Sequence, residues 1–310
     1  MKRFLFFAFI VLFSNVFSAT PESRVAVFAH YDHRKIIDDY VVYYLAELKK
    51  VASNIVFVSD CNLSDKEKSK IKGLVSHIID YKHGEYDFGS YKRGYNYLKT
   101  NKVLDKCDEL IFCNDSCLGP LYSFETVWEK MDKEKCDFWG MTKFVNSKNK
   151  AWRHVQSYFV VFHRNVFTSK VFDKFITSIT KQQNKGEIVR KYENGMSVLL
   201  EKNGFTLSSY IDDRMSYAYC FYLAEQNPIN PLVKTTIFRT NFIFIIEKML
   251  NKMQERIQIT YPQSITKNYI ERFNNVGSFF QKLEHLFGSI FRIHLGHNQF
   301  FWLGKKHEIF

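Results

Sequence analysis

Leu110-Ile111-Phe112-Cys113-Asn114-Asp115-Ser116 is the stretch that decides the fold: a short apolar run ends in an amide, a carboxylate and a hydroxyl, and Gly119-Pro120 then stops any regular element. Open α/β sheets collect their ligands in the crevice beyond the carboxyl ends of the strands. An Asp at such a place can hold a divalent cation against a diphosphate. The same residues also suit an ordinary loop, because Asn, Asp and Ser bond their own backbone in turns. The two readings are separated only by what surrounds the strand.

Upstream, Val25 to Ala29 is a strand-like run ending in His30-Tyr31-Asp32-His33, and Ile37, Tyr40, Val41, Tyr44, Leu45 and Leu48 recur at helical spacing. Asn54 to Val58 reads as a second strand. Ser64, followed three residues later by Glu67, predicts a capping box. Val75 to Ile79 is a third strand and Leu110 to Cys113 a fourth. Downstream, a helix from Ser123 to Lys133 precedes strand-like runs at Cys136 to Thr142 and Gln156 to Phe162. Helices at Ser169 to Thr180 and Glu187 to Lys202 lead to a last strand, Phe205 to Ser209. This alternation predicts an α/β fold, a mostly parallel sheet flanked by helices.

Three segments follow: an apolar, signal-like or anchoring N-terminus (1–23), the α/β domain (24–225) and a basic, mainly helical C-terminal extension (226–310). The N-terminus has the charge, apolar run and small residues of a signal peptide, but the run is short for a membrane span. An interfacial anchor and an unused upstream start are the alternatives. In the extension, Phe279, Phe280, Leu283, Leu286, Phe287, Ile290 and Phe291 mark one helical face.

The 310 residues carry a net charge of +12. From Val233 onward there are 11 Lys/Arg against five Asp/Glu, so the excess is concentrated late in the chain. No zinc-finger spacing, ribonucleoprotein motif or basic heptad helix accompanies it, and a nucleic-acid partner is not expected. The six Cys show no C-x-x-C, which leaves zinc unsupported and suggests reduced, buried thiols.

Two further segments could carry chemistry. In His83-Gly84-Glu85-Tyr86-Asp87-Phe88-Gly89-Ser90-Tyr91-Lys92-Arg93-Gly94, glycines allow close backbone approach, and Lys92 and Arg93 fall near an expected helix start. That suits a phosphate-bearing ligand; a glycine-lined entry to a helix is the alternative. Counted as a helix, Glu193 shares a stripe with Val189, Met196 and Leu200. A carboxylate there faces a cavity as a general base, or lies at the stripe's edge and pairs with Arg190, Lys191 or water.

Taken together, His30-Tyr31-Asp32, Ile37-Asp38-Asp39-Tyr40, the His83 to Tyr91 segment, Asn114-Asp115-Ser116, Gly119-Pro120, Asp137-Phe138-Trp139-Gly140 and Gln156-Ser157-Tyr158-Phe159 resemble the rhamnan synthesis protein F family of bacterial cell-surface polysaccharide assembly. The resemblance covers Arg24 to Arg239. The segment order is also similar to GT-A glycosyltransferases, whose fold is a Rossmann-type sheet. It implies a nucleoside-diphosphate sugar donor of the dTDP-rhamnose type, a lipid-linked glycan acceptor and an inverting transfer. Glu193 then corresponds to the base, and Asp115 to the group that meets the leaving diphosphate. The usual pair of metal-binding aspartates is reduced to Asp115, so Mg²⁺ or Mn²⁺ is an open cofactor.

On the same basis, His30, Tyr31, Asp32, Asp87, Gly89, Ser90, Lys92, Arg93, Asn114 and Ser116 are expected around the donor. His154, Gln156 and Trp139 are expected around sugar or acceptor. The expected location is the inner face of the cytoplasmic membrane, where lipid-linked acceptors lie and a basic tail meets anionic headgroups. The competing class is a non-catalytic assembly or glycan-binding protein that keeps the sheet.

Overall fold

The computed structural model describes residues 20–145, 153–211 and 229–238, with 255, 260–262, 264, 265 and 268. The N-terminal apolar run through residue 19 and the stripe at 279–291 lie outside the described residues. The elements in chain order are β1 (Arg24–His30), α1 (Asp39–Lys49), β2 (Asn54–Ser59), α2 (Asp65–Ser69), β3 (His77–Asp80), α3 (Tyr86–Thr100), β4 (Glu109–Asn114) and β5 (Cys117–Leu118). There follow α4 (Phe124–Met131), β6 (Phe138–Phe144), β7 (His154–Val155), β8 (Phe159–His163), α5 (Arg164–Phe167), α6 (Lys170–Thr177), α7 (Lys185–Ile188), α8 (Gly195–Lys202), β9 (Leu207–Ile211) and β10 (Val233–Lys234).

Strands β3, β2, β1 and β4 lie side by side and parallel. Strand β8 enters antiparallel between β4 and β6, so β6 runs as β4 does, and β9 pairs with β6 in parallel. With β7 antiparallel on β6, the sheet is mostly parallel, as the alternation predicts. Both its faces are covered. Ala26 and Phe28 of β1 join a core with Tyr44, Leu48 and Trp128, while Val25, Val27 and Ala29 join the opposite one with Tyr95, Leu98 and Phe172. Burial on both faces is why β1 reads as a continuous apolar run rather than an alternating one.

Helix α3 lies close against β1, and Gly94 permits it: a Cβ there would stand 2.3 Å from Val27 Cγ1. The helix begins at Tyr86, so Lys92 and Arg93 lie in its body rather than at its start. The Ser64 cap forms in part. Its Oγ accepts from Glu67 N at 3.3 Å, but the Glu67 carboxylate turns to Ile37 N, 2.7 Å away.

Between α7 and α8 the chain makes a wide π turn over Val189–Asn194. The buried stripe therefore runs Ile188, Tyr192, Met196, Leu200, and Glu193 sits half-buried beside it. Straight helical counting assumed a regular turn through this stretch.

Residues 229–234, assigned from sequence to the extension, fold onto the sheet domain. Ile229, Leu232 and Val233 are buried in its core. In the β10–β5 pair, Val233 faces Leu118 and Lys234 faces Cys117. Gly119, at φ +131°, makes this possible, since a Cβ would lie 2.5 Å from Pro231 O. No described helix is long and apolar enough to cross a membrane.

Candidate active site

Register aligns the ends of three parallel strands: Ala29 faces Asn114 and His30 faces Ser59. Strand β8 runs the other way, so its beginning lies at the same edge, where Asn114 N donates to Tyr158 O at 3.2 Å. The carboxyl edge of the sheet therefore gathers His30, Asn114, Asp115, Ser116, Ser157 and Tyr158. Helix α3 adds Asp87 from its first turn, and the π turn adds Glu193.

The contacts are specific. Asp115 Oδ2 accepts from Tyr31 N at 2.9 Å and lies 3.8 Å from His30 Nε2. Tyr40 OH donates to Asp115 O at 2.8 Å. His30 is itself fixed, with Nδ1 2.9 Å from Ser59 Oγ and Nε2 3.2 Å from Ile36 O. Since a carbonyl can only accept, Nε2 carries a proton. Asn114 divides its amide: Nδ2 donates to Asp87 Oδ2 at 2.8 Å, while Oδ1 accepts from Ser116 N at 3.0 Å and Ser116 Oγ at 2.6 Å. Glu193 Oε1 accepts from Ser157 N at 2.8 Å.

Burial pushes the Asp87 carboxyl up from the ordinary range and Glu193 adds to this; Lys234, Lys185 and the Asn114 hydrogen bond oppose it. Burial, reinforced by the Asp87 charge, also holds the Tyr91 phenol well above its usual value. Its hydroxyl donates to Ser157 O at 2.8 Å, beside the amide that holds Glu193.

Sequence reading missed Lys234. Its Nζ lies 2.8 Å from Ser116 Oγ and 4.3 Å from the centroid of the Tyr158 ring. Tyr158 OH in turn accepts from Asn230 Nδ2 at 3.1 Å and lies 2.9 Å from Thr142 Oγ1, which donates to Gln156 Oε1 at 3.0 Å. Gln156 thus joins the cluster through Thr142 and Tyr158. The one available signal was the apolar pair Leu232-Val233 between Pro231 and Lys234, which marks a short strand inside a basic tail.

Other expected residues have side chains engaged with neighbours of their own. Lys92 Nζ donates to Ile179 O at 2.6 Å, and Arg93 bonds Glu85 Oε2 at 2.6 Å, Gly89 O and Tyr81 OH. Ser90 Oγ lies 3.1 Å from His83 Nε2. A Cβ on Gly89 would stand 2.3 Å from Glu85 Cβ, so this glycine is packed inside its own turn. Trp139 is 1% exposed, edge-on to Trp128 and beside Phe159 in the core. His154 is buried in β7, its ring 5.4 Å from that of Phe144. Asp32 Oδ1 accepts from Arg34 N in the turn after β1, and the ring of Tyr31, 52% exposed, has Lys82 Nζ 4.5 Å from its centroid.

The Asn114-Asp115-Ser116 strand end by itself suits Mg²⁺ or Mn²⁺ poorly, and the neighbouring Asp87 carboxylate is held on the Asn114 amide. The strand end offers the Asp115 carboxylate, an amide oxygen already accepting two hydrogen bonds and a hydroxyl bonded to an ammonium; these cations favour several oxygens with carboxylate charge among them. Among the described residues, no three His, Cys, Asp or Glu side chains gather as a metal site. The described cysteines are free thiols, and burial pushes Cys107 and Cys117 up to about 11, away from nucleophilic chemistry.

The family model for rhamnan synthesis protein F matches residues 55–285. The match runs beyond Arg239, where the resemblance read from the motifs ended, and so takes in part of the basic tail. An uncharacterized protein of Sinorhizobium fredii, y4gN, is 25% identical over 187 residues, covering 60% of this chain and 48% of the relative. The virulence protein VirA of Vibrio anguillarum is 26% identical over 137 residues, covering 44% and 39%. The chain thus spans about half or less of the length of these curated relatives. Among solved structures, the mannosyltransferase Ktr4p of S. cerevisiae in complex with GDP is similar at 8% identity and a TM-score of 0.36, over 58% of this chain and 67% of that one. A cytidylyltransferase from Leptospira borgpetersenii is similar at 15% identity and a TM-score of 0.39, over 76% and 98%.

Proposed function

The chain belongs to the rhamnan synthesis protein F family, and from that premise we propose that it is a glycosyltransferase which moves a sugar from a nucleoside-diphosphate donor to a growing cell-surface glycan. The observation that carries the reading is the convergence of Asp87, Asp115, Glu193 and Lys234 at the carboxyl edge of a mostly parallel sheet, where such folds bind ligands. The donor sugar is proposed to be rhamnose or another deoxyhexose, carried on a dTDP-type nucleotide. The acceptor is proposed to be a lipid-linked glycan at the inner membrane face.

The reaction is an in-line, inverting displacement. The acceptor oxygen bonds to the anomeric carbon as the bond from that carbon to the diphosphate oxygen breaks. The acceptor's proton passes to Glu193, and the nucleoside diphosphate leaves. Glu193 is suited to this because the Ser157 amide fixes one carboxylate oxygen at 2.8 Å, which orients the other. His30 ends the first strand and Tyr31 and Asp32 follow it, a fitting place for the nucleoside. Asn114 links Asp87 to Ser116 and so sets the floor on which the diphosphate would rest.

A thermal-shift panel of nucleoside diphosphates and nucleotide sugars tests the reading, because a ligand at 100 times its Kd stabilises the fold by about 2.7 kcal/mol. A selective rise of a few degrees with one nucleotide is expected. No rise with any of them, with or without Mn²⁺, would favour a non-catalytic assembly protein.

A further inference from the structure

We infer that Lys234 is the cation that binds the donor's diphosphate, taking the place at this strand end that a divalent metal would otherwise fill. The inference rests on the glycosyltransferase reading above and adds to it the group that neutralises the leaving charge.

Lys234 is built into the site rather than waving over it. Its strand is pinned on both sides: Thr235 N donates to Ser116 O at 2.8 Å, and Leu121 N to Pro231 O at 2.8 Å. Leu232 N donates to Asn230 Oδ1 at 2.9 Å, and the Asn230 amide reaches Tyr158 OH. The ammonium then lies over the Tyr158 ring and against Ser116 Oγ. Holding a charged donor in place before the ligand arrives removes the ordering cost at the moment of reaction. An ammonium is also a compact point charge with three donors, suited to a phosphate oxygen.

Three other cations near the segment are committed elsewhere, and Lys185 acts on Asp87 through its charge. Lys92 is on the Ile179 carbonyl, Arg93 on Glu85 and Tyr81, and Lys82 on the ring of Tyr31. Among the described residues, Lys234 is the cation hydrogen-bonded to the Asn114-Asp115-Ser116 strand end. A divalent ion there would have to share Ser116 with an ammonium, and like charges at that separation repel. A diphosphate instead offers the ammonium opposite charge.

The test is titration calorimetry on the full chain with dTDP, UDP and GDP, each compared with its own nucleoside, in EDTA and again in Mn²⁺. Wild type is expected to bind one diphosphate more tightly than its nucleoside in EDTA. Lys234→Met should lose roughly 10- to 100-fold in diphosphate affinity, the scale of one hydrogen bond to a charged group. Its nucleoside affinity should stay unchanged, and Lys234→Arg should retain part of the loss; circular dichroism and melting confirm folding of both. A folded Lys234→Met with wild-type diphosphate affinity would overturn the inference. So would a diphosphate advantage that appears only with Mn²⁺ and equally in wild type and variant. Failure of wild type to bind any nucleotide in either condition would instead bring down the glycosyltransferase reading beneath it.

Discussion

His83 gives the turn into α3, and hence the placement of Asp87, a defined pH dependence. Its Nδ1 accepts from Glu85 N at 3.1 Å, and its Nε2 lies 3.1 Å from Ser90 Oγ, which together require a neutral ring protonated at Nε2. Burial, and then the Arg93 guanidinium, push its pKa down to about 4, against the opposing pull of Asp60 and Glu85. In the unfolded chain the ring titrates near 6.5. The unfolded chain therefore takes up this proton first as the pH falls. Stability from His83 is fully present above about pH 6.5 and is lost as the pH drops toward 4. The gap between the two values is worth roughly 3 kcal/mol over the whole window, and about 2 kcal/mol at pH 5. Urea unfolding of wild type and His83→Gln at pH 7.5, 6 and 5 isolates this contribution from the carboxylates that titrate nearby. The stability difference between the two proteins should move by about 2 kcal/mol in favour of the variant between pH 7.5 and pH 5. A difference that stays constant across that range would refute the reasoning.

Gly94→Ala adds a methyl 2.3 Å from Val27 Cγ1 and forces α3 off β1. The gain in helix propensity is about 1 kcal/mol, less than the overpacking cost of about 1–3 kcal/mol, so urea unfolding should show a net loss. At the opposite edge of the sheet, Arg24 Nε pairs with Glu109 Oε2 at 2.6 Å, both residues buried, while Asp132 stands 3.8 Å from the same guanidinium. Arg24→Met leaves the buried Glu109 carboxylate without its guanidinium, with the Trp128 indole N–H at 2.8 Å and His163 Nδ1 at 3.4 Å as its remaining partners, and should cost about 3 kcal/mol in the same assay, whereas Asp132→Asn should cost under about 1 kcal/mol.

The legible parts of the fold were those set by local pattern. The β1, β2 and β4 runs announced themselves by unbroken apolar residues, and the cap at Ser64 by the Glu three residues later. What escaped depends on long-range geometry. Lys234 lies 118 residues from Ser116 and reaches it through a two-residue strand, too short to leave a periodic signal. The π turn at Val189–Asn194 defeats counting by helical turns, so the face on which Glu193 lies was misread even though the residue itself was singled out. Lys92 and Arg93 looked like ligand-binding cations because their partners, Ile179 and Glu85, are recognisable only after folding. Asn114, Asp115 and Asp87 were singled out because strand-end and helix-start chemistry is local, but the hydrogen bond joining Asn114 to Asp87 was not foreseeable.

The central claim is that Glu193 takes the acceptor's proton in a sugar transfer at this sheet edge. It is tested most directly by measuring sugar transfer from the nucleotide sugar that stabilises the protein to a membrane glycolipid acceptor, with wild type and Glu193→Gln compared. The account predicts that the variant stays folded, binds the donor as wild type does and loses roughly 10²- to 10⁴-fold in turnover. Turnover by Glu193→Gln at the wild-type rate would contradict it.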